Sequence, residues 1–167
     1  LPDQAALLER VFRLAHEHDL DLDFHVDEHL LADTGGLEAI ATLTVRQGWQ
    51  GRVLCGHCCA LAVADEVHAQ ALLVRFAEAG ITLVSLPLAN LNLQDGQPGR
   101  TPRLRGLPPL IAARAAGVPV VIASDNVCDA FVGAADFDPL RVLGIAALAA
   151  HLDDPLVQWV DSITTRP

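Results

Sequence analysis

DLDFHVDEH, residues 21–29, is the stretch whose reading decides the fold. From Leu20 to Asp27 apolar and polar residues alternate strictly, which is the period of a β-strand. One face carries Leu20, Leu22, Phe24 and Val26, and the other carries Asp21, Asp23, His25 and Asp27. The apolar face suits packing under helices. Three carboxylates and an imidazole on the other suit an interior or crevice that holds a cation.

Working outward, the same rhythm repeats. Apolar spacing in Ala5 to Ala15 predicts a helix before this strand, with Asp3 as its N-cap. A helix over 36–47 leads to a strand RVLCGH at 52–57, and a helix over 65–79 leads to ITLVSLP at 81–87. A helix over 108–116 leads to VPVVIAS at 118–124, and a last helix covers 139–150. Gly48, Gly80 and Gly117 fall where a helix turns toward the next strand, a place that often needs φ > 0. Strands alternating with helices predict βαβ crossovers and a parallel sheet. The longest stretch read as irregular is 86–106, after the carboxyl end of the third strand, and a loop of that length usually has a function.

In each unit the polar residues collect at the carboxyl end of the strand. These are His25, Asp27 and Glu28, then His57, then Asn90, Asn92 and Gln94, then Ser124, Asp125 and Asn126. Parallel α/β folds build their active sites there. One histidine at a strand end is commonly a hydrogen-bonded structural residue, and one aspartate commonly caps the next helix. Four such ends together point to a metal or acid/base site.

Other motifs read as structure. CGHCC at 55–59 lacks the second CxxC of a structural zinc site and the residue order of a haem attachment, so Cys55, Cys58 and Cys59 are expected to be small buried thiols. His16 and His18, at a helix C-terminus, and the pair Asp153 and Asp154 are read as solvated surface.

Composition bounds the rest. The 167 residues are 51% hydrophobic and 4% aromatic, enough for one domain with a sizeable core. The net charge of −10, with 11 scattered basic residues and no lysine, argues against a nucleic-acid partner. No apolar run near the length of a membrane span and no signal-like amino terminus is visible, so neither a membrane partner nor secretion is expected. Crowded cysteines are a poor layout for disulfides, and a cytoplasmic location is expected.

HVDEH at 25–29, GH at 56–57, PLANLNLQ at 87–94, TPRLRG at 101–106 and SDNVCDAF at 124–131 together resemble the cytosine deaminase branch of the amidohydrolase superfamily. The resemblance runs from the first helix to SITTRP. It implies four βα units resembling the second half of a (β/α)₈ barrel, the fifth to eighth strands, so that residues 1–167 form a single partial amidohydrolase domain. It implies one divalent metal, Zn²⁺ or Fe²⁺, with His25 and Asp125 as ligands and with Glu28, His57 and Asp125 catalytic. Asn90, Gln94 and Asn126 are the substrate-binding candidates. The implied reaction is hydrolytic deamination of a small cyclic amidine or a pyrimidine base such as cytosine, with release of ammonia. Asn126 stands where cytosine-specific members carry a second aspartate, which opens the substrate to isocytosine, creatinine or a similar ring.

The branch also uses an HxH on the first barrel strand and a Gln from an earlier loop, and this chain, which starts without Met, is expected to be a C-terminal portion. A homo-oligomer or a missing N-terminal half would complete it. Two other functions stand beside this one: an incomplete barrel half acting only with a partner segment, and another cyclic-amide amidohydrolase.

Overall fold

The computed structural model describes residues 4–152 and 155–165, so Asp3, Asp153 and Asp154 lie outside the described residues. Helix α1 (Gln4–His18) precedes strand β1 (Leu22–Val26), and α2 (Gly35–Arg46) precedes β2 (Val53–His57). Then come α3 (Glu66–Ala79), β3 (Thr82–Ser85), α4 (Pro87–Leu93), α5 (Leu110–Ala115), β4 (Val120–Ile122) and α6 (Pro139–Ala150). Short 3₁₀ segments cover Cys59–Ala62 and Leu156–Ile163.

The four strands form one parallel sheet in the order β1-β2-β3-β4. This is the α/β class expected from the alternation, and Gly48, Gly80 and Gly117 all take positive φ. The numbering of the strands as fifth to eighth rests on the resemblance alone.

The strand period explains the two faces of the sheet. Leu22, Phe24 and Val26 of β1 lie beside Val53, Cys55 and His57 of β2 in register, and this parity faces the helices. Phe24 stacks on Phe12 of α1, with ring centroids 6.0 Å apart. Phe12, Leu37, Ile40, Cys55, Leu72, Phe76, Leu83 and Val120 build the core between sheet and helices. The opposite parity carries Asp23 and His25, both exposed, as the alternation in 20–27 requires.

One expectation is corrected. Residues 86–106 are not irregular throughout, because 87–93 form α4. Pro87 sits at the first turn, where its fixed φ favours helix and its missing N–H leaves no bond unmade. Asn90 and Asn92 are weak helix formers, which hides the helix in a propensity reading.

Candidate active site

Asp27 leaves the polar row it belongs to by alternation. Its φ is 47°, and its Oδ2 accepts from Leu37 N at 2.9 Å, so it binds the start of α2. Asp21 also turns away, to the guanidinium of Arg52. Neither enters the site.

His57 is the central side chain. By register with Val26 it belongs to the helix-facing parity, but its φ of 66° ends the strand and turns the chain. Its imidazole, 2% exposed, lies with Nε2 3.0 Å from Nδ1 of His25 and 3.8 Å from Oδ2 of Asp125. Nδ1 lies 3.2 Å from Oε1 of Glu28 and 3.0 Å from Nδ2 of Asn90. Gly56, in register with His25, places no side chain beside it. Burial holds the His57 pKa below its usual value, opposed by the charges of Glu28 and Asp125, so the ring is neutral at pH 7.

Asp125 follows β4 with a φ of 63°, the same left-handed region as His57 and Asp27. Three strand ends therefore carry a non-glycine residue in a sparsely populated conformation. Such strain persists where the surrounding structure over-determines it, and it concentrates at functional sites.

A cavity of about 330 Å³ opens over these groups, lined by His25, Glu28, His57, Leu93, Asp125, Asn126 and Phe131. That is near the lower end of the roughly 300–1,000 Å³ of small-molecule sites. Of the residues proposed from sequence, His25, Glu28, His57, Asp125 and Asn126 come together at this cavity. Two do not line it. Asn90 is fully buried beneath His57, and Gln94 packs its side chain against Gly106, where a Cβ would lie 2.5 Å from its Cγ.

Leu93 and Phe131 were not legible as wall residues. Phe131 is 65% exposed, although its neighbour Val132 is buried with Leu86 and Ala89. Asp129 accepts from the N–H groups of Phe131 and Val132, and Asn92 Nδ2 donates to Phe131 O at 2.9 Å. The available signal was an aromatic beside a buried valine within SDNVCDAF.

The ligand atoms of His25, Glu28 and His57 all lie within 4.8 Å of one another. Two imidazole nitrogens and a carboxylate oxygen suit a divalent transition metal, so the residues present fit such an ion. The three thiols of CGHCC take no part. Cys55, Cys58 and Cys59 are buried, and burial pushes all three thiols up, Cys59 to about 12.

A titratable cluster at the carboxyl ends of the strands of a parallel sheet is where parallel α/β folds place their active sites. The amidohydrolase family model matches residues 1–167, and the chain belongs to that family. A pterin deaminase of Rhizobium rhizogenes (strain K84) is 45% identical over 166 residues, covering 99% of this chain and 38% of the relative. The crystal structure of a 5-methylcytosine deaminase from Klebsiella pneumoniae with 5-fluorocytosine superposes with a TM-score of 0.88 at 23% identity, over 97% of this chain and 40% of that one. An adenosine deaminase from Xanthomonas campestris with bound zinc has a TM-score of 0.59 at 24% identity, over 90% of this chain and 31% of that one. The chain thus spans about two fifths of the length of the first two of these proteins.

Proposed function

We propose that this chain is a single partial domain of a metal-dependent hydrolytic deaminase acting on a small nitrogen heterocycle with an amino group on an amidine carbon. The observation that carries the reading is the convergence of His25, Glu28, His57 and Asp125 from three strand ends on one cavity. Names of relatives support the substrate class: pterin and 5-fluorocytosine both carry such an amidine. The higher identity to the pterin deaminase makes a pterin the first substrate to test, ahead of cytosine.

His25 and Asp125, which line the same cavity, would hold one divalent ion, Zn²⁺ or Fe²⁺, together with ligands from outside this chain, although the ligand atoms that gather within 4.8 Å are those of His25, Glu28 and His57. Such an ion, when bound, brings the pKa of a water down to ~7 and so supplies a nucleophile at neutral pH. Asp125 accepts the proton of the attacking water. His57 orients that water by donating from Nε2. Glu28 protonates the ring nitrogen beside the attacked carbon, which keeps anionic charge from building on the ring. Asp125 then passes the water's proton to the amino nitrogen, the C–N bond breaks to release ammonia, and the hydroxyl proton returns to Glu28 as the carbonyl forms. Leu93 and Phe131 give the heterocycle apolar walls, and Asn126 offers an amide to its edge.

The partner is a small heterocycle. Nucleic acid is disfavoured by a charge of −10, and no helix among the described residues is long and apolar enough to cross a membrane. A cytoplasmic location fits the three buried free thiols. A second reading, a barrel half that works only with a further segment, is favoured by one observation. β1 and β4 each have one unpaired edge among the described residues, and Asp23 and His25 are exposed on the sheet.

The test is ammonia release from a pterin and from cytosine, by a protein extended to the length of its relatives. Turnover that disappears on chelation and returns with Zn²⁺ or Fe²⁺ supports the proposal. A metal-loaded, folded protein inert toward aminopterins and aminopyrimidines alike would overturn it.

A further inference from the structure

Asn90 is wholly buried on α4, and its Nδ2 lies 3.0 Å from Nδ1 of His57. Its other amide atom, Oδ1, is buried with no hydrogen-bond partner among the described residues. The helix that carries it is anchored directly after β3, with Pro87 and Ala89 buried and Asn90 N donating to Leu86 O at 2.9 Å.

The two orientations of this carboxamide are unequal in free energy. With Nδ2 toward the ring, one carbonyl acceptor is left unpaired. Reversed, an amide nitrogen with two donors would be stranded in the core, and orphaned buried donors are rarer than under-satisfied carbonyls. The amide therefore donates to the ring, and Nδ1 of His57 has to be its bare nitrogen. The single ring proton then sits on Nε2, where Nδ1 of His25 at 3.0 Å stands as acceptor and Oδ2 of Asp125 lies 3.8 Å away. Glu28 Oε1 stands 3.2 Å from Nδ1 of His57.

We propose that Asn90 is a positioning residue that holds His57 as the Nε2–H tautomer, so that the imidazole presents a proton-bearing edge to the reacting water. This deepens the deaminase reading and rests on it for that consequence, while the tautomer itself is a property of the folded chain without substrate. It also gives Asn90 a place beneath the catalytic histidine in exchange for direct contact with substrate.

The experiment is a two-bond ¹H–¹⁵N correlation spectrum of the 167-residue chain labelled with ¹⁵N-histidine, recorded where His57 is neutral and assigned with His57→Gln. The expected wild-type pattern is a protonated Nε2 and a bare Nδ1. Asn90→Leu, close in size but without a donor, is expected to shift His57 toward a mixture of tautomers. Asn90→Asp, which offers only acceptors, is expected to move the proton to Nδ1. A wild-type ring protonated on Nδ1 overturns the proposal even if neither variant folds. A folded Asn90→Leu variant with the wild-type pattern overturns it as well. Deaminase assays are independent of this readout, so an Nε2–H ring in a protein without deaminase activity supports the tautomer assignment and removes only the function.

Discussion

Glu28 and Asp125 stand on opposite sides of His57 and are predicted to fail differently. In the protein extended to the length of its relatives, Glu28→Gln should lower turnover by ~10²–10⁴ while metal content stays at the wild-type level. Asp125→Ala should lower both, because its carboxylate is assigned to the ion as well as to the proton. Turnover assays with elemental analysis on the same samples separate the two. Near-normal turnover in Glu28→Gln would remove Glu28 as the ring acid. The thiols give a second residue-scale prediction. Cys128 is exposed, whereas burial keeps Cys55, Cys58 and Cys59 protonated far above neutral pH. A thiol reagent at pH 8 should therefore label one cysteine of the native chain rapidly and all four only after unfolding. The strand-end positions of His25, Glu28, His57 and Asp125 were legible in the sequence because alternation and βα spacing place them there. The support given by Asn90 was not, since nothing in PLANLNLQ shows which amide turns under an imidazole.

At the scale of elements, α3 shows how far local rules reach. Asp65 caps it by accepting from Val67 N and His68 N at 3.1 Å, and Gly80 closes it at a φ of 60°. Asp65→Ala should destabilise the chain by about 1 kcal/mol. Phe76→Ala, which empties a fully buried position, should cost about 3–5 kcal/mol. Denaturant melts of the two variants check the ratio. The loop after α4 depends on Asp95, whose carboxylate binds Arg100 and accepts from the N–H groups of Arg103 and Leu104. The Arg100 guanidinium and these N–H groups hold its carboxyl well below the usual carboxylate range. A depressed carboxyl pKa adds to order above the unfolded value of 3.8 and loses that contribution only as pH falls through the folded value. Asp95→Ala should accordingly speed proteolytic nicking within 95–104 at neutral pH, with little change at strongly acidic pH. Equal nicking rates in variant and wild type at neutral pH would show that the loop is held by something else.

The whole molecule presents a sheet with one free edge at β1 and another at β4 among the described residues. α1 exposes Leu7, Val11 and Leu14, and α6 exposes Leu140 and Leu148. Open parallel edges flanked by apolar surface favour association. The chain by itself should thus self-associate with rising concentration, and, on the proposal that it is a partial domain, a segment that pairs with these edges should suppress this. Sedimentation at several concentrations, with and without that segment, is the check. A monomer throughout would mean that these edges are protected within the chain. It is at this scale that the amidohydrolase family and the span of about two fifths of its relatives become one picture, a set of consecutive βα units with a site open on one side.

By itself, the sequence determined the α/β class, the four strands and most helices, and the strand ends where chemistry collects, because hydrophobic period and turn residues are local properties. It also determined that the thiols of CGHCC are buried. Only the tertiary structure decided that Asp27 caps α2 outside the site, that 87–93 is a helix, and that Phe131 and Leu93 wall the cavity. It alone brought His57 to His25, against the parity of its own strand. The physical reason is common to all of these. Left-handed turns at Asp27, His57 and Asp125 and the packing of α4 depend on neighbours distant in the chain, and no local period encodes them.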